Sequence, residues 1–297
     1  MTYCVAMRLN EGLVFLADSR TNAGVDQIST FRKLTVFERP GERLLAMMSS
    51  GNLAITQSVR QIVCEAGEGA AASVWSARSL FDAARIVGEA VRTVHQRDGE
   101  ALHEAGIEFN CSFLFGGQIR GEPCRLFHVY AAGNFIEATP ENPYFQIGES
   151  KYGKPIVDRV VTPETTLGEA AKCALVSMDS TLRSNISVGL PLDLLVYEVD
   201  SLRVTKFVRI DENNEYMKMI RTTWGSRLRQ VFGEIPDPAW RDAPAASGTL
   251  RLETQETSPV RAPLPPGLAS AEGGGAPAPI QLVAQQTFPK DRPWPST

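Results

Sequence analysis

The residue with the clearest potential for chemistry stands at the head of the chain, where Thr2 follows the initiator Met1. Initiator methionine is usually removed when a small residue follows it, and its removal leaves Thr2 with both a hydroxyl and a free α-amine. An α-amine has a pKa of about 7.7–8.0, so a useful fraction is neutral at neutral pH and can act as a base. A threonine that carries its own terminal amine is a recognised activated nucleophile. Small second residues are common, however, so the assignment depends on what lies beside Thr2.

A predicted β-hairpin brings a carboxylate to this threonine. The apolar runs Thr2–Leu9 and Gly12–Ala17 are separated by a turn signal at Asn10-Glu11, which is typical of a hairpin. A turn at this point places Asp18 on the neighbouring strand beside the threonine, and Arg20 faces the same side two residues later. Asp18 is open to two interpretations, a strand-end aspartate of the kind common near turns or a carboxylate that orients a neighbouring cation.

A second charged residue, Lys33, begins the next predicted strand. A lysine near the nucleophile favours the deprotonated hydroxyl and amine, because a nearby cation stabilises the less positive state. Asp18 would keep this lysine charged and in place. The alternative is that Arg32 and Lys33 form a solvated strand entry, and spacing alone does not separate the two interpretations.

Together these segments resemble the proteasome β-type subunits, which are N-terminal-nucleophile hydrolases. The matching segments are Thr2-Tyr3-Cys4-Val5-Ala6, Ala17-Asp18-Ser19-Arg20-Thr21-Asn22-Ala23-Gly24 and Arg32-Lys33-Leu34. The resemblance implies an active site formed by Thr2, Asp18 and Lys33. It also implies that the loop Ser49-Ser50-Gly51 lines an oxyanion hole with the N–H of Gly51, where a donor stabilises developing charge and a helix N-terminus adds a favourable dipole.

The sequence is similar in more detail to the bacterial family called Anbu, the ancestral β-type subunits. The segments that carry this similarity are MTYCVAMRL, AMMSSGNLAITQSV and MDSTLRSNISVGLPLDLLVYE. Members of the wider proteasome group associate through their helices into rings or ring-like stacks. The resemblance therefore implies self-association into a ring-like or stacked homo-oligomer.

Two segments depart from the proteasome pattern. An Arg-Asp-x-x-Ser-Gly segment is expected, and this chain has Arg183-Ser184-Asn185-Ile186-Ser187-Val188. Ser187 fits the serine position, but Ser184 stands where the aspartate that helps to hold the α-amine would be. That carboxylate is then missing, or it is supplied by Asp179 or Asp193. A Gly-Ser-Gly element is likewise altered to Gly148-Glu149-Ser150, which leaves Glu149 and Ser150 as alternatives for the serine. Arg20, Ser150 and Ser184 are therefore accessory site candidates.

The order of the predicted elements indicates an α+β fold. Helices are expected where apolar residues recur every three or four positions: after Gly51, from about Ala77 to His95, and over Glu164–Leu182 and Tyr216–Phe232. Further strands are predicted at Lys33–Phe37, Arg43–Ser49, Phe109–Phe115, Arg125–Tyr130, Phe135–Ala138, Leu192–Val199 and Lys206–Ile210. This order lacks the regular strand–helix alternation of a doubly wound sheet, so antiparallel sheets with segregated helices fit better. The resemblance implies a four-layer αββα sandwich of two antiparallel sheets.

The composition changes near Ile235 and divides the chain. Twelve of its 19 prolines and the run Gly273-Gly274-Gly275 lie in residues 236–297. A segment of this composition buries too little apolar surface to offset its ordering entropy. The sequence therefore predicts one hydrolase-type domain over residues 1–235 and a disordered tail over residues 236–297.

Composition also argues against several function classes. The net charge of −4, with 43% hydrophobic and 22% charged residues among 297, gives no electrostatic reason to expect nucleic acid or an anionic membrane surface. No apolar run approaches the roughly 18–20 residues that span a bilayer, and the first residues do not resemble a signal peptide. We therefore expect a cytoplasmic protein.

The cysteines and histidines are expected to be structural. None has metal-ligand spacing, so we expect neither a metal nor a cofactor. Cys4, Cys64 and Cys111 lie in apolar runs, where a reduced thiol packs as a small hydrophobic group. Buried, reduced cysteines are thus predicted.

These observations leave hypotheses from two function classes. The first is a threonine peptidase or amidohydrolase that cleaves a peptide, or a small amide if its pocket is closed. The second is an assembly-forming subunit with little or no peptidase activity. The chain has no Walker motif, so an unfolding ATPase would be a separate partner.

Overall fold

The computed structural model describes residues 2–23, 27–67 and 72–239. The helices in this part of the chain are α1 (Leu53–Glu65), α2 (Leu80–Glu104), α3 (Ser150–Val160), α4 (Leu167–Ser184) and α5 (Glu215–Glu234). The strands are β1 (Tyr3–Leu9), β2 (Gly12–Asp18), β3 (Arg20–Ala23), β4 (Gln27–Thr30), β5 (Leu34–Arg39), β6 (Arg43–Gly51), β7 (Cys111–Ile119), β8 (Arg125–Val129), β9 (Phe135–Glu137), β10 (Tyr144–Gly148), β11 (Leu192–Glu198) and β12 (Lys206–Ile210).

The strands form two five-stranded antiparallel sheets and one small hairpin. The first sheet has the order β10-β1-β2-β11-β12, and the second has the order β5-β6-β7-β8-β9. The small hairpin is β3-β4. The β1–β2 register pairs Cys4 with Ala17, which confirms the predicted hairpin. The antiparallel sheets and the separate helices confirm the α+β class.

Three apolar clusters form the core. One joins β1, β2 and β11 to the helices α3, α4 and α5, and a second joins β6, β7 and β8 to α1 and α2. The third contains residues from both large sheets, including Phe15, Leu44 and Leu114. Neighbouring strand residues belong to different clusters, as Leu16 and Phe15 do, because successive side chains point to opposite faces of a sheet.

Two elements that were not predicted lie close to the start of the chain. Strand β10 pairs with β1 along the edge of the first sheet, and helix α3 follows it directly. Helix α3 contains Pro155 and Gly153, both of which weaken a helical sequence pattern. Gly153 packs so closely on the Tyr3 hydroxyl that a Cβ would overlap it. Helix α2 also extends to Glu104, beyond the predicted end near His95, because its last turns are polar and carry no apolar period.

One prediction about the cysteines is wrong. Cys4, Cys111, Cys124 and Cys173 are buried and unpaired, as expected, but Cys64 is exposed. Cys64 follows Val63, which is one of the buried residues of α1. The next position on a helix lies about 100° further round, so its thiol faces outward despite the apolar sequence around it.

The described residues contain neither a membrane-spanning helix nor a cluster of metal-ligating side chains. The helices among them are each too short or too polar to cross a lipid bilayer. Among residues 2–23, 27–67 and 72–239, no three histidine, cysteine or acidic side chains are grouped to hold a metal ion.

The first structural unit of the chain is Met1–Asp237. The predicted tail lies almost entirely outside the described residues, so its disorder stays a prediction.

Candidate active site

A cavity of about 660 Å³ opens beside Thr2. It lies where β1 begins, where β6 ends and where β10 ends, so both large sheets contribute to its wall. Its lining residues are Thr2, Thr21, Ser29, Phe31, Lys33, Ser49, Ser50, Gly51, Asn52, Leu53, Thr56, Asn110, Ser112, Gly148 and Glu149. Three residues that were predicted for the site, Thr2, Lys33 and Gly51, therefore line one cavity.

The backbone of Thr2 is held from two sides. Its carbonyl oxygen accepts a hydrogen bond of 2.7 Å from the N–H of Glu149. The next residue, Tyr3, pairs with Gly148 across the β1–β10 ladder. Gly148 has a φ of +81°, and a Cβ at this position would overlap the Thr2 carbonyl. Glycine is required here both for its backbone conformation and for this close approach.

A buried ion pair lies next to this terminus. Lys33 Nζ donates to Asp18 Oδ1 at 2.6 Å and to the carbonyl oxygen of Arg20 at 2.7 Å. The same Oδ1 accepts from the N–H of Tyr3 at 3.0 Å, so one oxygen joins the start of β1 to the lysine. Asp18 Oδ2 accepts from the N–H groups of Arg20 and Gly189. All four bonds to the carboxylate come from groups that favour its ionised form.

The electrostatics of this pair follow from its burial. The side chains of Asp18 and Lys33 are 0% and 4% exposed. Burial raises the pKa of the Asp18 carboxyl, whereas Lys33 and the two backbone donors from Tyr3 and Gly189 oppose that rise. An ammonium has three N–H donors, and two of those on Lys33 are taken by Asp18 and Arg20.

Gly51 lies at the junction between β6 and α1. Its φ of +112° is a conformation that glycine adopts readily, and a Cβ would overlap the carbonyl of Asn110. Asn52 follows it as the N-cap of α1, and its Oδ1 accepts from the N–H of Ala54 at 2.9 Å. The first residues of α1 therefore line the cavity, where the positive end of the helix dipole favours negative charge.

The other candidates from the sequence lie outside the cavity lining. Ser187 is half-buried in the turn after α4, where its N–H donates to Asn185 Oδ1 at 2.9 Å. Arg20 donates from its guanidinium to the Ile186 carbonyl oxygen at 2.7 Å, which ties the same turn to β3. Ser184 is exposed at the end of α4, and Ser150 lines a different cavity at the start of α3.

The carboxylates that were considered for holding the α-amine have other partners. Asp179 is buried and accepts from Arg183 at 2.9 Å and from Arg221 at 3.3 Å, so it joins α4 to α5. Asp193 lies 3.8 Å from Arg32. Glu149 is the carboxylate in the cavity lining, and its nearest cation is the exposed Lys151 at 3.7 Å.

One polar pair in the wall was not recognised from the sequence. Ser112 Oγ lies 2.6 Å from His128 Nε2, and Ser112 lines the cavity with Thr2. Burial lowers the pKa of His128, which favours the neutral imidazole. The only signal in the sequence is the alternation along β7, since Cys111 and Phe113 belong to the cluster under α1 and α2 and Ser112 must face the other way.

Comparison with known proteins gives close matches among solved structures. No protein-family model matches the chain, and no curated protein matches it. Anbu (ancestral beta-subunit) from Yersinia bercovieri is 52% identical with a TM-score of 0.76, over 80% of this chain and 99% of that one. Anbu from Hyphomicrobium sp. strain MC1 is 48% identical with a TM-score of 0.73, over 79% and 98%.

A third structure is described as a helical assembly of the Anbu complex from Pseudomonas aeruginosa. It is 48% identical with a TM-score of 0.76, and the alignment covers 83% of this chain and 100% of that one. These identities extend over nearly the whole length of each relative. The chain belongs to the Anbu family, the ancestral β-subunits related to the proteasome.

Proposed function

We propose that the chain is a threonine amidohydrolase of the proteasome type, with Thr2 as its N-terminal nucleophile. The observation that carries this proposal is the shared oxygen Oδ1 of Asp18, which bonds to both Tyr3 N–H and Lys33 Nζ. This one atom fixes the position of the lysine relative to the residue that follows Thr2. A cation held beside a hydroxyl lowers the free energy of its deprotonated form.

The reaction divides into two steps. Thr2 Oγ attacks an amide carbonyl while its own α-amine takes the hydroxyl proton, and the Gly51 N–H stabilises the oxyanion. The protonated amine then donates to the leaving nitrogen as the C–N bond breaks, which leaves an acyl ester on Thr2. A water, deprotonated by the same amine, attacks the ester, and the amine returns this proton to Thr2 Oγ as the ester C–O bond breaks and the acid is released. Lys33 lowers the pKa of the hydroxyl and of the α-amine of Thr2, and Asp18 and Ser187 orient these groups.

This mechanism requires a free amine on Thr2. Met1 lies outside the described residues, so its removal stays a prediction. Of the carboxylates near the terminus, Glu149 has the backbone position best suited to hold the amine, because its N–H bonds to the Thr2 carbonyl and its side chain lines the cavity. Asp179 and Asp193 are paired with arginines instead. Ser184 stands where the proteasome aspartate would be, and a glutamate from a different segment would hold the amine in a different position, so we expect lower activity on peptide bonds.

An electrophilic threonine probe tests the proposal. The purified protein is first checked by intact mass and N-terminal sequencing for loss of Met1. The wild type should then be labelled at Thr2, whereas Thr2→Ala and Lys33→Ala should not be labelled. Thr93→Ala is the matched control, because this exposed hydroxyl on α2 bonds to the Glu89 carbonyl oxygen and is not among the residues that line the cavity. Labelling that survives Thr2→Ala, or retention of Met1, overturns the proposal.

A second function class rests on a different observation. The Pseudomonas aeruginosa relative forms a helical assembly, and α5 exposes several apolar side chains, namely Tyr216 and Met219 near its start and Leu228, Val231 and Phe232 near its end. Exposed apolar surface of this extent marks an association site. The chain therefore self-associates through a second copy at α5, as an assembly subunit with or without strong peptidase activity. Sedimentation of wild type against Val231→Glu/Phe232→Glu measures this, and an unchanged sedimentation coefficient argues against the α5 contact.

We extend the proposal to the layer order of the fold and to an alternative class of substrate. The layers follow the order helix, sheet, sheet, helix, and this arrangement is supported by the three core clusters, two under helices and one shared by the sheets. A small amide is an alternative substrate, because the cavity of about 660 Å³ accommodates one. A cytoplasmic location and a separate ATPase partner stay predictions.

A further inference from the structure

The cavity beside Thr2 is lined mainly by polar residues, which is unusual for a site that accepts an apolar group. Apart from Thr2, eight of its lining residues have neutral hydroxyl or amide side chains: Thr21, Ser29, Ser49, Ser50, Asn52, Thr56, Asn110 and Ser112. Phe31 and Leu53 are the apolar side chains among the lining residues. Ligand pockets are usually lined mainly by apolar groups with few polar ones, so this wall indicates a polar occupant.

The charges in the wall are already matched. Lys33 is paired with the buried Asp18 at 2.6 Å. Glu149 lies 3.7 Å from Lys151 and also faces the amine of Thr2 in the proposed mechanism. A charged substrate side chain would lose hydration on entering, and Lys33 and Glu149 of the described lining already have partners of opposite charge.

The polar groups of the wall include both donors and acceptors. Asn52 uses its Oδ1 to accept from Ala54 N–H, which leaves its NH2 group as a donor. Ser112 is held by His128 at 2.6 Å. When the serine hydroxyl donates to the neutral imidazole, its own lone pairs face the cavity as acceptors. A carboxamide presents a carbonyl oxygen as acceptor and an NH2 group with two donors on the same carbon, which complements a wall of this kind.

We propose that the cavity selects a substrate with a neutral, hydrogen-bonding side chain, a carboxamide above all, and that Ser112 is a specificity-determining residue positioned by His128. The proposal rests on Thr2 being the nucleophile, since it concerns the group beside the bond that Thr2 attacks. Ser112 contacts substrate, and His128 acts through Ser112.

Selection arises from what each competitor leaves unpaired. An apolar side chain of the same size would leave the lone pairs of Ser112 and the NH2 group of Asn52 without a partner, and sites built for hydrogen bonding reject such analogues strongly. An anionic side chain of the same shape cannot donate to the acceptors on Ser112 and meets Glu149. Glutamine, methionine and glutamate thus form a series of similar size that separates these effects.

The test uses three capped peptide probes with one electrophile, which differ in having glutamine, methionine or glutamate next to it. Labelling of Thr2 should be at least about tenfold faster with the glutamine probe than with either other probe. Ser112→Ala and His128→Phe should each reduce the glutamine-over-methionine ratio several-fold. Thr93→Ala should leave the ratio unchanged, and thermal unfolding confirms that each variant is folded.

The outcomes separate this inference from the proposed function. Labelling of Thr2 that is as fast with methionine or glutamate as with glutamine overturns the selectivity while the nucleophile stands. A ratio that is unchanged in Ser112→Ala overturns the assignment of Ser112. If no probe labels Thr2, the hydrolase proposal fails. Binding of the corresponding capped peptide amides to Thr2→Ala, followed by saturation-transfer NMR, then decides the inference, because equal binding of glutamine and methionine peptides contradicts it.

Discussion

Lys33 places its ammonium 2.6 Å from Oδ1 of Asp18, with both side chains withdrawn from solvent. A buried ion pair of this kind adds little net stability over an apolar pair, but loss of one partner leaves the other charge without compensation. The pair thus serves two purposes at once. It sets the electrostatics of the cavity, and it makes the fold around Thr2 intolerant of change at either position.

Replacement of Lys33 should destabilise the protein substantially. Lys33→Met leaves the Asp18 carboxylate buried and unpaired, which should lower the free energy of unfolding by about 3–5 kcal/mol. The double variant Asp18→Asn/Lys33→Met removes both charges and should recover part of the loss. Urea unfolding measures both, with the exposed Lys172→Met as a control that should change by no more than about 0.5 kcal/mol. A loss for Lys33→Met no larger than for this control contradicts the prediction.

A Cβ at Gly148 should disturb Thr2 directly. Gly148→Ala adds backbone strain of about 1–2 kcal/mol at positive φ and an overlap with the Thr2 carbonyl. Gly106→Ala is a matched control, because Gly106 has a similar φ of +69° but no neighbouring atom within 4 Å. We expect Gly148→Ala to lose stability well beyond the control and to slow probe labelling of Thr2 more than about tenfold. Equal labelling rates in the two variants would show that Gly148 does not position Thr2.

The stability of the protein should depend on pH through His128. Burial lowers the folded-state pKa of this imidazole, whereas the unfolded chain binds the proton near its ordinary pKa of about 6.5. The unfolded state therefore binds more protons below about pH 6.5, so stability is fully present above that pH and decreases as the pH falls toward the folded pKa. The loss approaches about 1.4 kcal/mol per pH unit within this window.

The comparison with His128→Gln isolates this effect. The variant cannot titrate there but retains a group able to bond to Ser112, so its stability should fall less than that of the wild type between about pH 7.5 and about pH 5.5. Urea unfolding at the two pH values gives the difference. Parallel losses in both proteins would assign the acid sensitivity to other groups.

One thiol of the five should react readily in the dissociated, folded protein. Partial burial raises the pKa of Cys64 as well, but its thiol is exposed, whereas Cys111, Cys124 and Cys173 are buried and their pKa values are raised to about 12, 12 and 11. Thiolate is the reactive form, so buried thiols with a raised pKa react slowly. A disulfide reagent should modify one thiol in the native protein, none in Cys64→Ser and all five after denaturation. Rapid native modification of Cys64→Ser would show that another cysteine is accessible.

The sequence was sufficient for the parts of the site that depend on local structure. The β1–β2 hairpin is short, so its turn alone places Asp18 opposite the start of β1. Lys33 lies immediately before β5, and Gly51 is the last residue of β6. The residues that line the cavity with Thr2 from these segments were accordingly expected.

The sequence did not predict those residues of the site whose positions depend on long-range packing. Ser112 and His128 meet only because β7 and β8 adopt one particular register. Helix α3 is hidden by Pro155, and its start separates Glu149, which lines the cavity, from Ser150, which does not. A single sequence does not show which of the adjacent residues Glu149 and Ser150 faces the cavity, because the strand before them is a short edge strand.

The two-sided hold on the Thr2 backbone has a consequence for how the protein matures. Its carbonyl bonds to Glu149 N–H, the N–H of Tyr3 bonds to Asp18, and the Thr2 residue is 8% exposed. An aminopeptidase needs the residues around the cleaved bond to be free to enter its own site. If Thr2 is the nucleophile as proposed, we therefore expect the initiator methionine to be trimmed before the first sheet closes.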